Sequence, residues 1–510
     1  MLPSPGVAGK VRVVNSETRY DVVIVGTGFS GLCMAIKLRE AGIRNVLLLE
    51  RASTLGGTWR DNCYPGAACD VPSNLYSFSF EPSPSWSRVY GTQGEILNYL
   101  QHCARKYELE PLTRFGTEVT GAVFDATLGQ WQITCQDGTH IHSRVLVSGC
   151  GAFSKPALPD IPGIESFQGD VIHTARWNPN YSLTGKRVAV IGTGASAIQV
   201  VPTIAPSVDH LTLFQRTPPW ILPKDDRPTR PIERWLYRHV PLSQRAIREL
   251  RYWTQELRVP AFTGHAPGLM TVPHRAALRH LRTQVRDPAL RRALTPNYKI
   301  GCKRILLSND YYPALVRPNV SLITAGISQV TATGLKDQSG HPHQVDTIIC
   351  ATGFHIADDL APFPISGVAG QTLDTTWRAQ QGAEAYLGTA IHGFPNFFTV
   401  TGPNTGVGHT SMVYMIEAGT RYVVQGIQQI LERPAPVFLD LRAAVQRRFN
   451  SELQRRLAKT VWITGGCMSW YNTQDGKNTS LWPGQTFEYR QRTAHFDVND
   501  YILHASPERG

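Results

Sequence analysis

The chain has 510 residues, 42% apolar and 18% charged, the balance of a folded protein too long for one ordinary core, so two or three domains are expected. No apolar run reaches the roughly 20 residues that cross a bilayer, and the stretch from Met1 to Thr18 lacks the apolar centre of a secretory signal, which argues against membrane-spanning and exported classes and predicts a cytoplasmic protein. The net charge is +12, and the segment from Lys224 to Arg304 holds 18 Lys and Arg against 6 Asp and Glu, so that one segment carries the whole excess.

In chain order, the first landmark is the apolar run from Asp21 to Gly26, followed by Thr27-Gly28-Phe29-Ser30-Gly31, a helical stretch to Glu40 and a second strand ending in Glu50. This is the start of a βαβ unit that binds a dinucleotide. Gly26 permits the tight turn, Gly28 lets the backbone approach a pyrophosphate, Gly31 lets the helix pack on the strand, and Phe29 lies within the cradle. The helix N-terminus presents free N–H groups to the anion. Glu50 can accept hydrogen bonds from ribose hydroxyls but would repel a 2′-phosphate, so this site suits FAD or NAD better than NADP.

A second unit begins at Arg187, whose strand ends in Gly192 and leads through Thr193, Gly194, Ala195, Ser196 and Ala197 into a helix to about Ile204 and a strand from His210 to Phe214. No acid stands at that strand end. Arg216 does, and its guanidinium, with the Thr217 hydroxyl, suits the 2′-phosphate of NADPH. Two such sites in one chain imply hydride transfer from nicotinamide to flavin.

Between about Lys224 and Tyr298 the strand signal vanishes. Ile232, Trp235, Leu236, Ile247, Leu250, Trp253 and Leu257 recur at three- and four-residue steps among arginines, predicting an amphipathic helical insertion interrupted at Pro241. With no nucleic-acid motif present, its basic character reads as a solvated face that steers anionic cofactors, in preference to a nucleic-acid or membrane surface. The run from Asp346 to Phe354 reads as a buried strand at a crossing between two nucleotide-binding folds, with Val145 to Gly151 as its counterpart. The expected class is α/β, with two Rossmann-like, doubly wound domains and a helical insertion. An FAD-binding domain takes residues 1–150, and an NADP-binding domain takes 151–223. The insertion takes 224–300, the NADP-binding domain resumes over 301–350, and the FAD-binding domain resumes over 351–510 with a C-terminal tail.

Cys33, Cys63, Cys69, Cys103, Cys135, Cys150, Cys302, Cys350 and Cys467 are scattered, with no CxxC pair and no companion histidine spacing, and indicate neither a disulfide framework nor a metal site. Cys63 and Cys69 have five residues between them, and Gly56-Gly57-Thr58 is followed by Trp59, so the thiol pair of a flavoprotein disulfide reductase is missing. Two longer patterns are present instead. Phe167, Gly169, His173 and Trp177 match FxGxxxHxxxW, and Gly56, Gly57, Trp59, Tyr64, Pro65, Gly66 and Asp70 match a second motif. From about Tyr20 onward the chain resembles the Baeyer-Villiger monooxygenases that use FAD and NADPH. One departure is Asn178 before Pro179, where that family usually follows the tryptophan with Pro or Asp.

The resemblance implies that a ketone is converted with O2 and NADPH to an ester or lactone through a C4a-peroxyflavin, aliphatic ketones being the expected substrates. Arg304 matches the arginine that stabilises the anionic peroxide and the tetrahedral oxyanion. Asp70 matches the aspartate that pairs with it and contacts the nicotinamide end of NADP. Thr58, Trp59, Arg60, Asp61, Tyr76, Val119 and Met412 match flavin-contacting positions. Ala68, Cys69 and the run Thr193, Gly194, Ala195, Ser196, Ala197, Ile198, Gln199 match NADP-contacting ones, and Lys303 joins Arg216 and Thr217 at the 2′-phosphate. Two rival readings remain at this point: a flavin monooxygenase acting on nitrogen or sulfur, and a redox-controlled binding module.

Overall fold

Thr18–Val25 forms an interior strand of an eight-stranded sheet in the computed structural model, which describes residues 18–355 and 361–504. Val22, Val23 and Ile24 are completely buried, as a parallel strand covered on both faces requires. Each such side chain contributes about 1.5–3 kcal/mol through removal from water. The strand pairs in parallel with Val46–Leu49 on one side and His140–Ser148 on the other. Val119–Asp125 and Gln130–Cys135 extend the sheet as an antiparallel pair. Three further strands complete it: Thr113–Arg114 pairs with Val46–Leu49, Ile365–Ser366 with Val119–Asp125, and Phe397–Thr399 with the end of His140–Ser148. Helix Phe29–Glu40 covers one face and packs on the long helix Met412–Leu431.

A second, wholly parallel sheet has the strand order Val320–Ile323, His210–Phe214, Arg187–Ile191, Thr347–Cys350, Asp170–His173. Its crossover helix Ala197–Ile204 is apolar enough to bury Ala197, Ile198, Val200, Val201 and Ile204 against it. The expected fold class is therefore the observed one. The run from Asp346 contributes its strand to this second sheet.

The segment from 224 to 300 is helical as expected, with helices Pro231–His239, Pro241–Glu256, Val259–Phe262, Thr271–Gln284 and Pro288–Ala293. The break falls at Pro241, which opens its helix at the first position, where a missing N–H costs nothing. Short strands Ile221–Leu222 and Leu306–Leu307 pair at the two ends of the segment and close it off. The orientation differs from what an amphipathic pattern leads one to expect. Ile232, Trp235, Leu250, Trp253 and Leu257 are all exposed, because the helix Pro241–Glu256 packs inward through its polar residues.

A second correction concerns the cysteines. Cys302 and Cys467 form a disulfide across 165 residues of sequence, whereas Cys33, Cys63, Cys69, Cys103, Cys135, Cys150 and Cys350 are free. Pairing depends on Cβ proximity in the folded chain, which spacing along the sequence does not report. Among the described residues no helix is long and apolar enough to cross a membrane, and no group of three side chains is arranged to hold a metal ion.

The close approach that Gly31 allows is absolute, since a Cβ there would lie 1.9 Å from the Gly26 carbonyl oxygen, while one at Gly194 would meet nothing within 4 Å. Gly31→Ala is expected to lower stability by roughly 3 kcal/mol, and Gly194→Ala to unfold at the wild-type temperature; thermal unfolding of both variants measures this.

Candidate active site

The first cradle forms where Gly26, at φ 99°, turns the chain out of its strand. Gly28 caps the helix Phe29–Glu40 without a side-chain bond, and no acid occupies the first turn, so the helix terminus stays open to an anion. Glu50 is buried at 4% exposure. Its carboxylate accepts from Thr27 N (3.2 Å), Thr27 Oγ1 (2.6 Å), Ala52 N (3.0 Å) and Arg60 Nη1 (2.9 Å). These bonds take all four acceptor positions of the carboxylate, a use of Glu50 that its place at the strand end does not announce. Arg60 reaches it from the short helix Thr58–Asp61, with Nε held by Asp61 Oδ1 at 2.7 Å. Trp59 Nε1 donates to the Tyr76 hydroxyl at 3.1 Å, and Tyr76 meets Phe29 edge-on at 5.2 Å. Thr117 N–H donates to the Glu50 carbonyl, which brings the strand starting at Val119 alongside. Met412 opens the helix packed on Phe29–Glu40.

At the second cradle Gly192 turns at φ 109°, and the helix Ala197–Ile204 follows Ser196 without a side-chain cap. Gly194 and Ala195 are exposed, whereas Ala197 and Ile198 are buried in the core below, so only their backbone faces the cradle. Thr193 Oγ1 donates to the Thr217 carbonyl at 2.8 Å, drawing the cradle onto the segment that carries Arg216. Arg216 is exposed and makes no ion pair among the described residues. Burial, and then the nearby Arg216 charge, hold the Lys303 ammonium below its ordinary range. Two cations that raise each other's energy would be relieved by one dianion.

Gln199 joins the two units. Its Nε2 donates to the Ala68 carbonyl at 2.9 Å, and its Oε1 accepts from the Tyr64 hydroxyl at 2.9 Å and from Ala68 N at 3.4 Å. Gly66 lies so close that a Cβ would stand 2.6 Å from the Gln199 carbonyl oxygen. Trp177 is buried in the same core as Tyr64, and the Cys63 thiol donates to its carbonyl at 3.5 Å. The two long motifs therefore pack on each other. His173 ends the edge strand of the second sheet; its Nδ1 accepts from Ala175 N at 3.1 Å, and burial lowers its pKa, leaving a neutral ring.

Beyond the Gln199 clamp, two residues after Ala68, Asp70 meets Arg304. The contact is bidentate, Nε to Oδ2 at 2.6 Å and Nη2 to Oδ1 at 2.7 Å. Both side chains keep a quarter of their surface, 28% and 27%, so the pair remains accessible. Burial alone would raise the Asp70 carboxyl, but the charge and hydrogen bonds of Arg304 prevail and hold it below the carboxylate range. Arg304 is raised in turn and stays a cation: burial works against it, and Asp70 more than compensates. Its Nη1 also donates to the Val407 carbonyl at 3.3 Å. The Tyr471 hydroxyl accepts from the Arg304 backbone N–H, and burial pushes it up to about 12. The Cys302–Cys467 bridge ties the arginine's loop to the tail that supplies Tyr471. Cys69 next door is buried, which drives its thiol well above the ordinary range, so it is an inert thiol. Val407 and Tyr471 are contacts that no motif announces; neither has a spacing signal, since each meets Arg304 only through the fold.

Two dinucleotide cradles joined by a clamp, with a fixed guanidinium between their connecting segments, define an oxidoreductase that brings two dinucleotides to one reaction centre. Residues 23–241 match the family described as pyridine nucleotide-disulphide oxidoreductase, although Cys63 and Cys69 are unpaired here. A Baeyer-Villiger monooxygenase from Streptomyces coelicolor is 46% identical over 95% of this chain and 93% of its own. Another, from Pseudomonas aeruginosa, is 48% identical over 95% of this chain and 92% of its own. The crystal structure of OTEMO in complex with FAD and NADP superposes with a TM-score of 0.85 at 26% identity, covering 95% of this chain and 99% of that one. The chain belongs to the Baeyer-Villiger monooxygenase family.

Asp70→Asn leaves a half-buried guanidinium without its counter-charge, and is expected to lower stability near neutrality by about 1–3 kcal/mol. Because the folded carboxyl titrates below its unfolded value of roughly 3.9, the stabilisation is present above that pH and fades as pH falls through the folded value. Denaturant unfolding of wild type and variant should therefore converge in acid and diverge towards neutral pH.

Proposed function

We propose that the first cradle holds FAD and the second NADPH, and that the protein inserts one oxygen atom from O2 beside the carbonyl of a ketone, giving an ester or lactone. On this reading residues 1–150 and 351–510 make the FAD-binding domain, 151–223 and 301–350 the NADP-binding domain, and 224–300 the insertion. The uncapped helix termini at Gly28 and Ser196, and the open space beside Gly194, fit the pyrophosphates of two dinucleotides. Arg216, Thr217 and Lys303 fit the 2′-phosphate, and Trp59, Arg60, Tyr76, Val119 and Met412 the flavin. When bound, these groups supply a hydride from nicotinamide and oxygen activated at the reduced flavin.

The observation that carries the reading is the Arg304–Asp70 pair. A guanidinium has five N–H donors. Two are spent on Asp70 and one on Val407, leaving two to stabilise negative charge at the attacking oxygen and at the carbonyl oxygen as it becomes an oxyanion. Asp70 aims the guanidinium, and the neutral sum of the pair lowers the cost of keeping a cation partly buried. Gln199, holding Ala68, fixes the segment from which Asp70 projects. An oxygen transfer to nitrogen or sulfur needs a proton on the oxidant and gains nothing from such a cation, which favours the ketone. Aliphatic ketones are the proposed substrates, supported by an apolar rim in which Phe153 packs on Phe354 at 5.3 Å and on Trp470 at 5.9 Å, beside Tyr471.

The test follows NADPH oxidation and product mass with a linear methyl ketone. Wild type should give ester, and Arg304→Ala should keep flavin reduction while losing ester formation about a hundred- to a thousandfold. Sulfoxides or amine oxides without esters across a ketone panel would overturn the assignment, and NADPH consumption that no substrate stimulates would favour a binding module. Arg216→Ala should raise the KM for NADPH roughly tenfold or more while leaving that for NADH unchanged, since only NADPH carries the phosphate.

A further inference from the structure

The helix Pro241–Glu256 is built inside out. Its inner face is polar: Gln244 Nε2 donates to Asn74 Oδ1 (3.0 Å) and the Ser83 carbonyl (2.6 Å), and Arg248 Nη1 to the carbonyls of Asn74 (2.9 Å) and Ser77 (2.8 Å). Tyr252 meets Thr486 Oγ1 at 3.1 Å, and Glu256, 1% exposed, is bonded to Thr486 and to His409 Nε2. The outer face is apolar. At about 100° per residue, Leu242, Trp253, Ala246, Leu257 and Leu250 all fall within an arc of about 80°, and no polar residue lies among them. Leu242 is 71% exposed, Leu250 59%, Trp253 49% and Leu257 72%, and the preceding helix adds Ile232 at 58% and Trp235 at 54%.

A contiguous apolar stripe facing outward needs a partner, and the surrounding charge selects it. Arg230, Arg234, Arg238, Arg245 and Arg258 are exposed and make no ion pair among the described residues, and Glu249 is the single exposed carboxylate between 230 and 258. A second copy of the chain would bring the same cations face to face. A bilayer with anionic headgroups pairs with the arginines and accepts the leucines, and tryptophan favours the depth between headgroup and acyl chain. We propose that the outer face of this helix, with Ile232 and Trp235 beside it, docks the protein on an anionic lipid surface. The helix lies in the interface and does not cross it. This goes beyond the assigned reaction and does not depend on it.

The test is flotation of the FAD-loaded protein with vesicles of phosphatidylcholine alone or with one third phosphatidylglycerol. Wild type should float with the anionic vesicles, far less with the neutral ones, and lose binding in high salt. Leu242→Gln with Leu257→Gln should cut the bound fraction roughly tenfold, and so should Arg238→Glu with Arg245→Glu, both with the wild-type unfolding temperature and NADPH oxidation rate. The proposal is overturned if wild type ignores anionic vesicles at low salt, or if the leucine variant floats equally well. It is also overturned if light scattering finds a wild-type dimer that the leucine variant converts to monomer, for then a second copy covers the stripe.

Discussion

The bidentate contact between Arg304 and Asp70 constrains its surroundings because two charges drawn partly out of water are tolerable only while they meet at hydrogen-bonding distance. Asp70 comes from the first quarter of the chain and Arg304 from beyond the helical insertion, so the pair ties two distant segments together. The structure secures both ends. Gln199 grips Ala68 two residues before the aspartate, and the disulfide at Cys302 lies two residues before the arginine. The chemistry assigned to the guanidinium is thus available only in the assembled molecule.

The two cradles share a backbone plan and differ in what stands beyond it. Each places a glycine turn and an uncapped helix terminus at the end of a buried parallel strand, which supplies partial positive charge to a pyrophosphate without any charged side chain. The difference lies after the following strand, where Glu50 stands in one unit and Arg216 in the other. Glu50 is held as a structural residue, since its carboxylate pins Thr27 in the turn and Arg60 in the next short helix, which leaves it no acceptor position for the ribose hydroxyls expected there. Arg216 is free of protein partners among the described residues and remains available to a phosphate.

Much of this was legible in the sequence because the signals are local. A run such as Val22-Val23-Ile24 ending in a glycine turn is a strand-to-helix cradle wherever it occurs, and Pro241 marks a helix boundary by its ring geometry. The Asp70 and Arg304 partnership was legible only through family resemblance, since nothing in either residue's neighbourhood points to the other. The Cys302–Cys467 bridge, the bond from the Arg304 backbone to Tyr471 and the saturation of Glu50 by Thr27, Ala52 and Arg60 were not legible, each being a contact that exists only after folding. The insertion shows a subtler limit. Periodicity reveals that a helix has two unlike faces, but whether the apolar one turns inward depends on what it packs against, here the polar groups of Asn74, Ser77, Ser83 and Thr486.

The strand Phe397–Thr399 is added to Leu146–Ser148, yet everything in the second sheet lies between them in the chain. During synthesis, the buried end of His140–Ser148 therefore emerges with one edge unpaired and waits while a complete second fold, strands 170–350, is made and can close. An apolar open edge is a template for wrong pairing. The second fold therefore has all its strands before the first does, although the first begins earlier in the chain.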